Sequence, residues 1–290
     1  MARSRKRVQF PSTAAVARLR ALKWRQRPER RLRDERDVAE FLREVQLCLY
    51  IPLHGLLLPS FQEAVAGRAW PRAGRGRGFQ PDGRATALDE ALARLIRQRV
   101  VFETNCLWRT PVLAARESFL SLYAMGGDAN PEEDYFEQQR RGELGAFEVA
   151  VYEAILREGP VVKSDLRATL RLSTEREDEA LDRALQHLWR MIKIVRASYT
   201  PDRGAAWDAF FRWAPEVVHD ARTITRLEAA MRILVAFVNE AVVVARAETQ
   251  KMFSGFQTRE VCGRALDLLV ESGQLVEWRG NLARPPLVRQ

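Results

Sequence analysis

Residues 174–197 read TEREDEALDRALQHLWRMIKIVRA. Ala180, Leu181, Ala184, Leu185, Leu188 and Met191 recur at the spacing of one helical face, and Thr174 ahead of an acidic turn is a helix start. From Ile192 to Ala197 the pattern turns β-like. A long amphipathic helix therefore runs straight into a strand. Upstream, the pattern predicts a helix over Phe147–Arg157, a turn at Glu158-Gly159-Pro160, and a short helix over Asp165–Leu170 capped by Ser164. Downstream, YTPDRGAAWDAFFRW (199–213) reads as a turn and a return strand.

The same arrangement recurs at an offset of 81 residues without a gap. Arg183-Ala184-Leu185 falls on Arg264-Ala265-Leu266, Leu188 on Leu269, Leu156 on Phe237 and Ile194-Val195 on Leu275-Val276. The second copy is expected to hold helices at Leu227–Val238, Arg246–Phe253 and Thr258–Glu271 and a strand at Leu275–Trp278, with Gly273 as the helix-stopping glycine. Three short helices followed by a strand pair form the winged-helix pattern. The expected fold is mainly α with small β wings, in tandem winged-helix domains. The predicted segments are a basic N-terminal arm and helix over 1–36, a helical region over 37–144 that holds a candidate divergent winged helix, and winged-helix domains at 145–220 and 221–290.

Charge is distributed unevenly. The chain carries 47 Lys and Arg against 38 Asp and Glu, but residues 1–36 alone hold 13 basic and 3 acidic side chains. The remainder is close to neutral, so the basic character is that of an arm (MARSRKR, then RLRALKWRQRPERRLRDER) that phosphates would attract. The plain alternative is a solvated basic tail. With 47% hydrophobic residues, 13 Phe and 7 Trp, the chain has the material for real cores. Cys48, Cys106 and Cys262 are scattered in apolar contexts and read as buried thiols of a reducing, cytoplasmic compartment. No CxxC pattern, secretory signal or membrane-spanning stretch is present, so no metal, cofactor or membrane partner is expected.

In the N-terminal half, Ser12 is expected to cap a helix running through Trp24, and a second helix is expected over Glu35–Leu49, stopped by Pro52. IPLHGLLLP (51–59) reads as a buried irregular turn, and Ser60 as the cap of Phe61–Ala66. WPRAGRGRGFQPDGR (70–84) is a glycine–arginine loop able to follow a phosphate backbone, or a plain surface loop. Helices are expected at Ala85–Arg97, at Pro111–Ala124 with Thr110 as cap, and near Pro131–Gln139, with a strand or coil at Val100–Glu103.

These elements nominate side chains for contact with duplex DNA. Arg18, Lys23 and Arg25 lie on the arm, and Arg75 and Arg77 in the loop, where Trp70 and Phe79 are candidates for stacking on bases. The long helix of the first copy opens with Glu175, Glu177, Asp178 and Glu179, which repel phosphates and favour the local helix dipole. The second copy is the better reader, with Arg246, Lys251, Gln257, Arg259, Arg264 and Arg279, and with Gly280 and Asn281 at a wing tip. Glu44, His54 and Glu63 are the candidates for acid–base chemistry, His54 because its charge changes near neutral pH. A core role for each is the plain alternative. Glu44 and Gln46 diverge by about 200° on a helix. Phosphate-binding glycine motifs, Ser-x-x-Lys and Gly-x-Ser-x-Gly are absent.

The layout resembles a bacterial family of winged-helix DNA-binding-domain proteins that includes the crosslink-repair DNA glycosylases and uncharacterised relatives. The resemblance spans roughly residues 35–280. It rests on FLREVQLCLYIPLHGLLLPSFQEAVAG (41–67), Trp108, LSLYAMGG (120–127), EDYFEQQRRGEL (133–144), REGPVVKSDLR (157–167) and LDRALQHLWRMIKIVRA (181–197). It implies three tandem winged helices around duplex DNA and excision of alkylated bases through a Gln-x-Gln or Gln-x-Asp signature. Here Gln-x-Gln is absent, and Gln80-Pro81-Asp82 matches only in letters, inside the glycine–arginine loop. The expected function is a repair-related DNA-binding protein with double-stranded DNA as partner. An active glycosylase with other catalytic residues, a protein-interaction scaffold and a transcription regulator remain the alternatives.

Overall fold

A computed structural model describes residues 10–53, 55–70, 83–107, 110–200, 202–253 and 259–285. In chain order the elements are α1 (Thr13–Lys23), α2 (Glu35–Val45), β1 (Leu47–Leu49), α3 (Phe61–Ala66), α4 (Gly83–Arg97), β2 (Val101–Thr104), β3 (Val112–Ala115), α5 (Arg116–Gly126) and α6 (Asp134–Arg140). There follow α7 (Ala146–Glu158), β4 (Val161–Val162), α8 (Lys163–Thr169), α9 (Glu175–Arg190), β5 (Ile194–Thr200), β6 (Gly204–Ala209), α10 (Phe210–Trp213) and α11 (Pro215–Ala221). The chain ends with α12 (Arg226–Ala241), β7 (Val243–Ala245), α13 (Arg246–Phe253), α14 (Arg259–Glu271), β8 (Val276–Trp278) and β9 (Asn281–Ala283). The fold is mainly helical, with small antiparallel sheets. The succession helix, strand, helix, helix, strand, strand occurs three times, beginning at α2, α7 and α12. β2 pairs with β3, and the sheets β4-β6-β5 and β7-β9-β8 each have their last strand in the middle.

The chain divides into two compact units, Met1–Ala91 with Leu227–Gln290, and Leu92–Arg226. In the second unit, α9 is held at its start by a capping box: the Thr174 hydroxyl accepts from the Glu177 N–H, and the Glu177 carboxylate accepts from the Thr174 N–H. Leu181, Ala184, Leu185 and Leu188 are buried with Tyr152, Ile155, Leu166, Trp189, Ile194 and Trp207 in one core. Two acids of α9, Asp178 and Asp182, are matched within the fold, since Lys163 lies 2.8 Å from both. β4 pairs Val161 with Trp207 and Val162 with Ala206, and β5 joins the other edge of β6. A second apolar group stacks Phe102 on Phe119 at 4.5 Å, with Phe210, Trp213 and Tyr123 around them. The same unit holds a buried ion pair, Lys193 Nζ to Asp128 Oδ2 at 2.5 Å.

In the first unit, α14 buries Cys262, Ala265, Leu266 and Leu269. These are the offset-81 counterparts of Leu181, Ala184, Leu185 and Leu188, four of the five buried residues of α9, so the repeat seen in the sequence is a repeat of buried positions. Gly273 takes a φ of 72° and stops α14, and Leu275 enters the core. Ser12 and Ser60 cap α1 and α3 as read from the sequence.

Four sequence expectations are corrected. The helix from Glu35 ends at Val45 rather than Leu49, because Gln46 takes a φ of 63° and Leu47, Cys48 and Leu49 form a wholly buried strand. Pro111 opens no helix; Val112–Ala115 is a buried strand paired with Val101–Thr104, and proline is tolerated just ahead of it. Ser164 does not cap α8, which starts at Lys163 directly after the last paired residue of β4. The apolar turn after Tyr50 is only partly buried: Leu58 is inside, whereas Ile51 and Leu53 are exposed.

Candidate nucleic-acid interface and a buried acid cluster

The third helix–strand set carries exposed arginines on α14 and on its hairpin. On α14, Arg259 and Arg264 are exposed, and neither guanidinium meets a carboxylate among the described residues. The β8–β9 hairpin turns through Arg279 (φ 49°) and Gly280 (φ 73°). Two left-handed residues in succession match the right-handed twist of the flanking strands, and glycine adopts that conformation without strain. Trp278 is 40% exposed at this tip. The Arg279 guanidinium lies 4.4 Å from its ring centroid, and Phe10 stacks on the same indole at 6.0 Å. Arg246 has a different place. Its guanidinium bonds Glu277 at 2.8 Å, Asp267 at 2.6 Å and the Gly263 carbonyl at 3.2 Å, tying α13 to α14 and β8. Lys251 is exposed in the last turn of α13.

The basic arm is partly committed to the fold. Arg18 is exposed on α1, but the other face of that helix docks on the end of α12. The last carbonyls of a helix have no partner within it. Arg20 donates to the carbonyls of Ala241 and Val243, both at 2.7 Å, Lys23 to that of Asn239 at 2.6 Å, and the Trp24 indole to that of Glu240 at 3.0 Å. Positive charge at this end also opposes the negative pole of the α12 dipole. Arg25 is buried with a φ of 53°; it lies 5.6 Å over the Phe41 ring and bonds Glu44 at 3.3 Å.

Beside this joint, still within the first unit, acids gather. Glu63, at the start of α3, is buried. One carboxylate oxygen takes the Gln26 side-chain amide at 2.9 Å, the other the Trp70 backbone N–H at 2.8 Å. Glu44 is half-exposed and paired with Arg25. The acid least open to water is Glu240, which has no solvent-accessible side-chain surface. Its Oε1 takes Lys23 at 3.0 Å and Asn239 at 2.8 Å, while Oε2 has no hydrogen-bond partner among the described residues. Burial pushes its carboxyl up to about 7 even though Lys23 and Asn239 pull it down, and Glu44 adds to the rise. Burial likewise raises the thiol of Cys48, reinforced by the charges of Glu240 and Glu63.

The structure thus brings Glu44 and Glu63 into one polar neighbourhood, but each carboxylate is engaged by neighbouring side chains or backbone. His54, Arg75, Arg77, Phe79, Gln80, Trp108 and Gln257 lie outside the described residues. Trp70 is half-buried, its backbone held by Glu63. Glu240 and Trp278 escaped the sequence reading. The signal for Glu240 was one acid inside the apolar run ILVAFVNEAVVVA (233–245). Among the described residues, no three His, Cys, Asp or Glu side chains are grouped to hold a metal ion, and no helix is long and apolar enough to cross a membrane. Comparison with protein-family models, with curated proteins and with solved structures returns no match to this chain.

Proposed function

We propose that this chain is a DNA-binding protein built from three tandem winged-helix sets and acting in a repair-related setting, with α14 and the β8–β9 hairpin of the third set as its main grip on the duplex. The threefold recurrence of helix, strand, helix, helix, strand, strand, with the last strand central in the sheets of the second and third sets, supports the winged-helix reading. The repair setting rests on the resemblance alone. The observation that carries DNA contact is the set of uncompensated cations in one helix–hairpin pair. Arg259 and Arg264 stand exposed on α14, and Arg279 is stacked on an exposed tryptophan at the hairpin tip. Guanidinium groups suit phosphate oxygens, and an aromatic at a tip can lie against sugars or bases. The equivalent surface of the second set begins with acids already paired to Lys163 and Arg167, so it offers phosphates nothing comparable. Because Glu44 and Glu63 are engaged within the fold, the proposal includes no catalytic step.

The test is duplex binding measured at several salt concentrations. Each lost phosphate contact lowers the slope of log K against log salt by about 0.9. The Arg259→Ala/Arg264→Ala variant is expected to bind more weakly, with a slope lower by about 2. Wild-type binding that is absent at low salt, or a slope untouched by the double substitution, overturns the proposal.

A further inference from the structure

The joint between α1 and α12 places an acid where an acid is expensive. Glu240 lies in the last turn of α12, at the negative pole of that helix. Its side chain has no accessible surface, and one of its oxygens has no donor among the described residues. The charged and titratable groups around it are Lys23 from α1, Glu44 from α2 and Cys48 from β1; on its own helix, Asn239 donates to it. Among the described residues, Lys23 is the cation that pairs with its carboxylate, its ammonium shared with the Asn239 carbonyl, and Arg20 of α1 holds the neighbouring Ala241 and Val243 carbonyls. α1 meets α12 here chiefly through donors aimed at carbonyls, which hold whether or not Glu240 is charged.

We propose that α1 is a proton-sensitive latch, held tightly on the end of α12 while Glu240 carries a proton and more loosely once it ionises. Release of α1 would admit water to Glu240 and restore its ordinary acidity. The docked carboxyl, raised to about 7, therefore binds its proton more firmly than the released one. The sign follows from linkage. The docked state binds more protons, so the extra docking strength is fully present below the ordinary glutamate range and is lost as pH rises towards 7; above that the loss is complete. Between pH 5 and pH 8 the docking equilibrium is expected to weaken on the order of 50-fold. Lys23 moderates the effect without cancelling it. This inference is independent of the DNA reading.

Amide hydrogen exchange on the full chain, corrected for intrinsic rates, reads the latch directly. In the wild type, protection over residues 13–24 is expected to fall on the order of 50-fold from pH 5 to pH 8, while the amides of α9 and the middle of α12 keep theirs. In Glu240→Gln, neutral at every pH, protection over 13–24 is expected to stay level. Lys23→Met removes the cation on Glu240 together with its bond to the Asn239 carbonyl, and is expected to weaken docking at both pH values but more at pH 8 than at pH 5. An equal fall in wild type and Glu240→Gln, no fall in the wild type, or a loss of α12 protection together with that of α1 each overturns the latch.

Discussion

Replacing Lys193 by methionine should destabilise the Leu92–Arg226 unit out of proportion to the atoms removed. The ammonium has no accessible surface and lies 2.5 Å from Asp128 Oδ2, whose own side chain is 5% exposed. The other Asp128 oxygen takes Gln138 at 2.9 Å, and Lys193 Nζ stands 5.4 Å from the Tyr152 ring. Two effects compete in the native pair, a large desolvation penalty and a Coulomb attraction that roughly balances it, so the pair as a whole contributes little. The balance vanishes when one partner goes. Methionine fills nearly the same volume, so packing changes little, but Asp128 stays buried without its cation. The cost is then ~3–5 kcal/mol, which for a unit of this size lowers the melting temperature by roughly 10–20 °C. Adding Asp128→Asn removes the stranded charge while keeping a polar group for Gln138, and should recover about half of the loss or more. Guanidinium titrations of wild type, both single variants and the double variant form the cycle. A Lys193→Met variant within about 1 kcal/mol of wild type, or a double variant no better than the single, refutes the reasoning.

Thr174→Ala should cost ~1 kcal/mol of stability by removing the hydroxyl that accepts from the Glu177 N–H, with the loss visible first as faster exchange at the start of α9. Backbone N–H groups of Ser173 and Thr174 hold the Glu177 carboxyl below its usual range, and Lys163 does the same for Asp178. Groups so lowered stabilise above their ordinary range and lose that effect as pH falls through their folded values, so an acid titration should loosen the start of α9 only below about pH 4; loosening already at pH 6 would contradict the pairing. Burial raises the thiols of Cys48 and Cys106, the latter to about 12, so iodoacetamide at pH 8 should leave both unmodified in folded protein and label them on denaturation. Fast labelling of either in the native state would show that these sites open.

The long helices were legible because their apolar spacing is strong. Leu181, Ala184, Leu185 and Leu188 of the α9 stripe and their counterparts on α14 are buried, Ala180 and Met191 only partly so, and the caps Ser12, Ser60 and Thr174 work as their residue types require. The short strands were not. Leu47–Leu49 continues the apolar texture of α2, and nothing in three residues marks the change of period until Gln46 turns the chain. Val112–Ala115 was hidden by a proline that suits a helix start as well as a strand approach. The basic arm shows the limit of charge arithmetic. Composition placed Arg20 and Lys23 among phosphate-seeking residues, yet their acceptors are carbonyls more than 200 positions along the chain, which no local pattern can announce. Glu240 is the converse case, an acid in an apolar run whose partner also comes from the far end of the sequence.

The docking of α1 on α12 bears on how this protein can be divided. The natural place to trim the chain is near residue 36, where the basic character stops and a tail looks disposable. A piece cut there would lose Arg20, Lys23 and Trp24, baring the carbonyls of residues 239, 240, 241 and 243 and leaving Glu240 without its cation. The C-terminal helix–strand set would then be studied with its closing surface stripped off. Any affinity or melting curve measured on such a fragment would report the injury as much as the module. The smallest faithful version of the C-terminal set carries the first helix with it, joined in space although separated by most of the sequence.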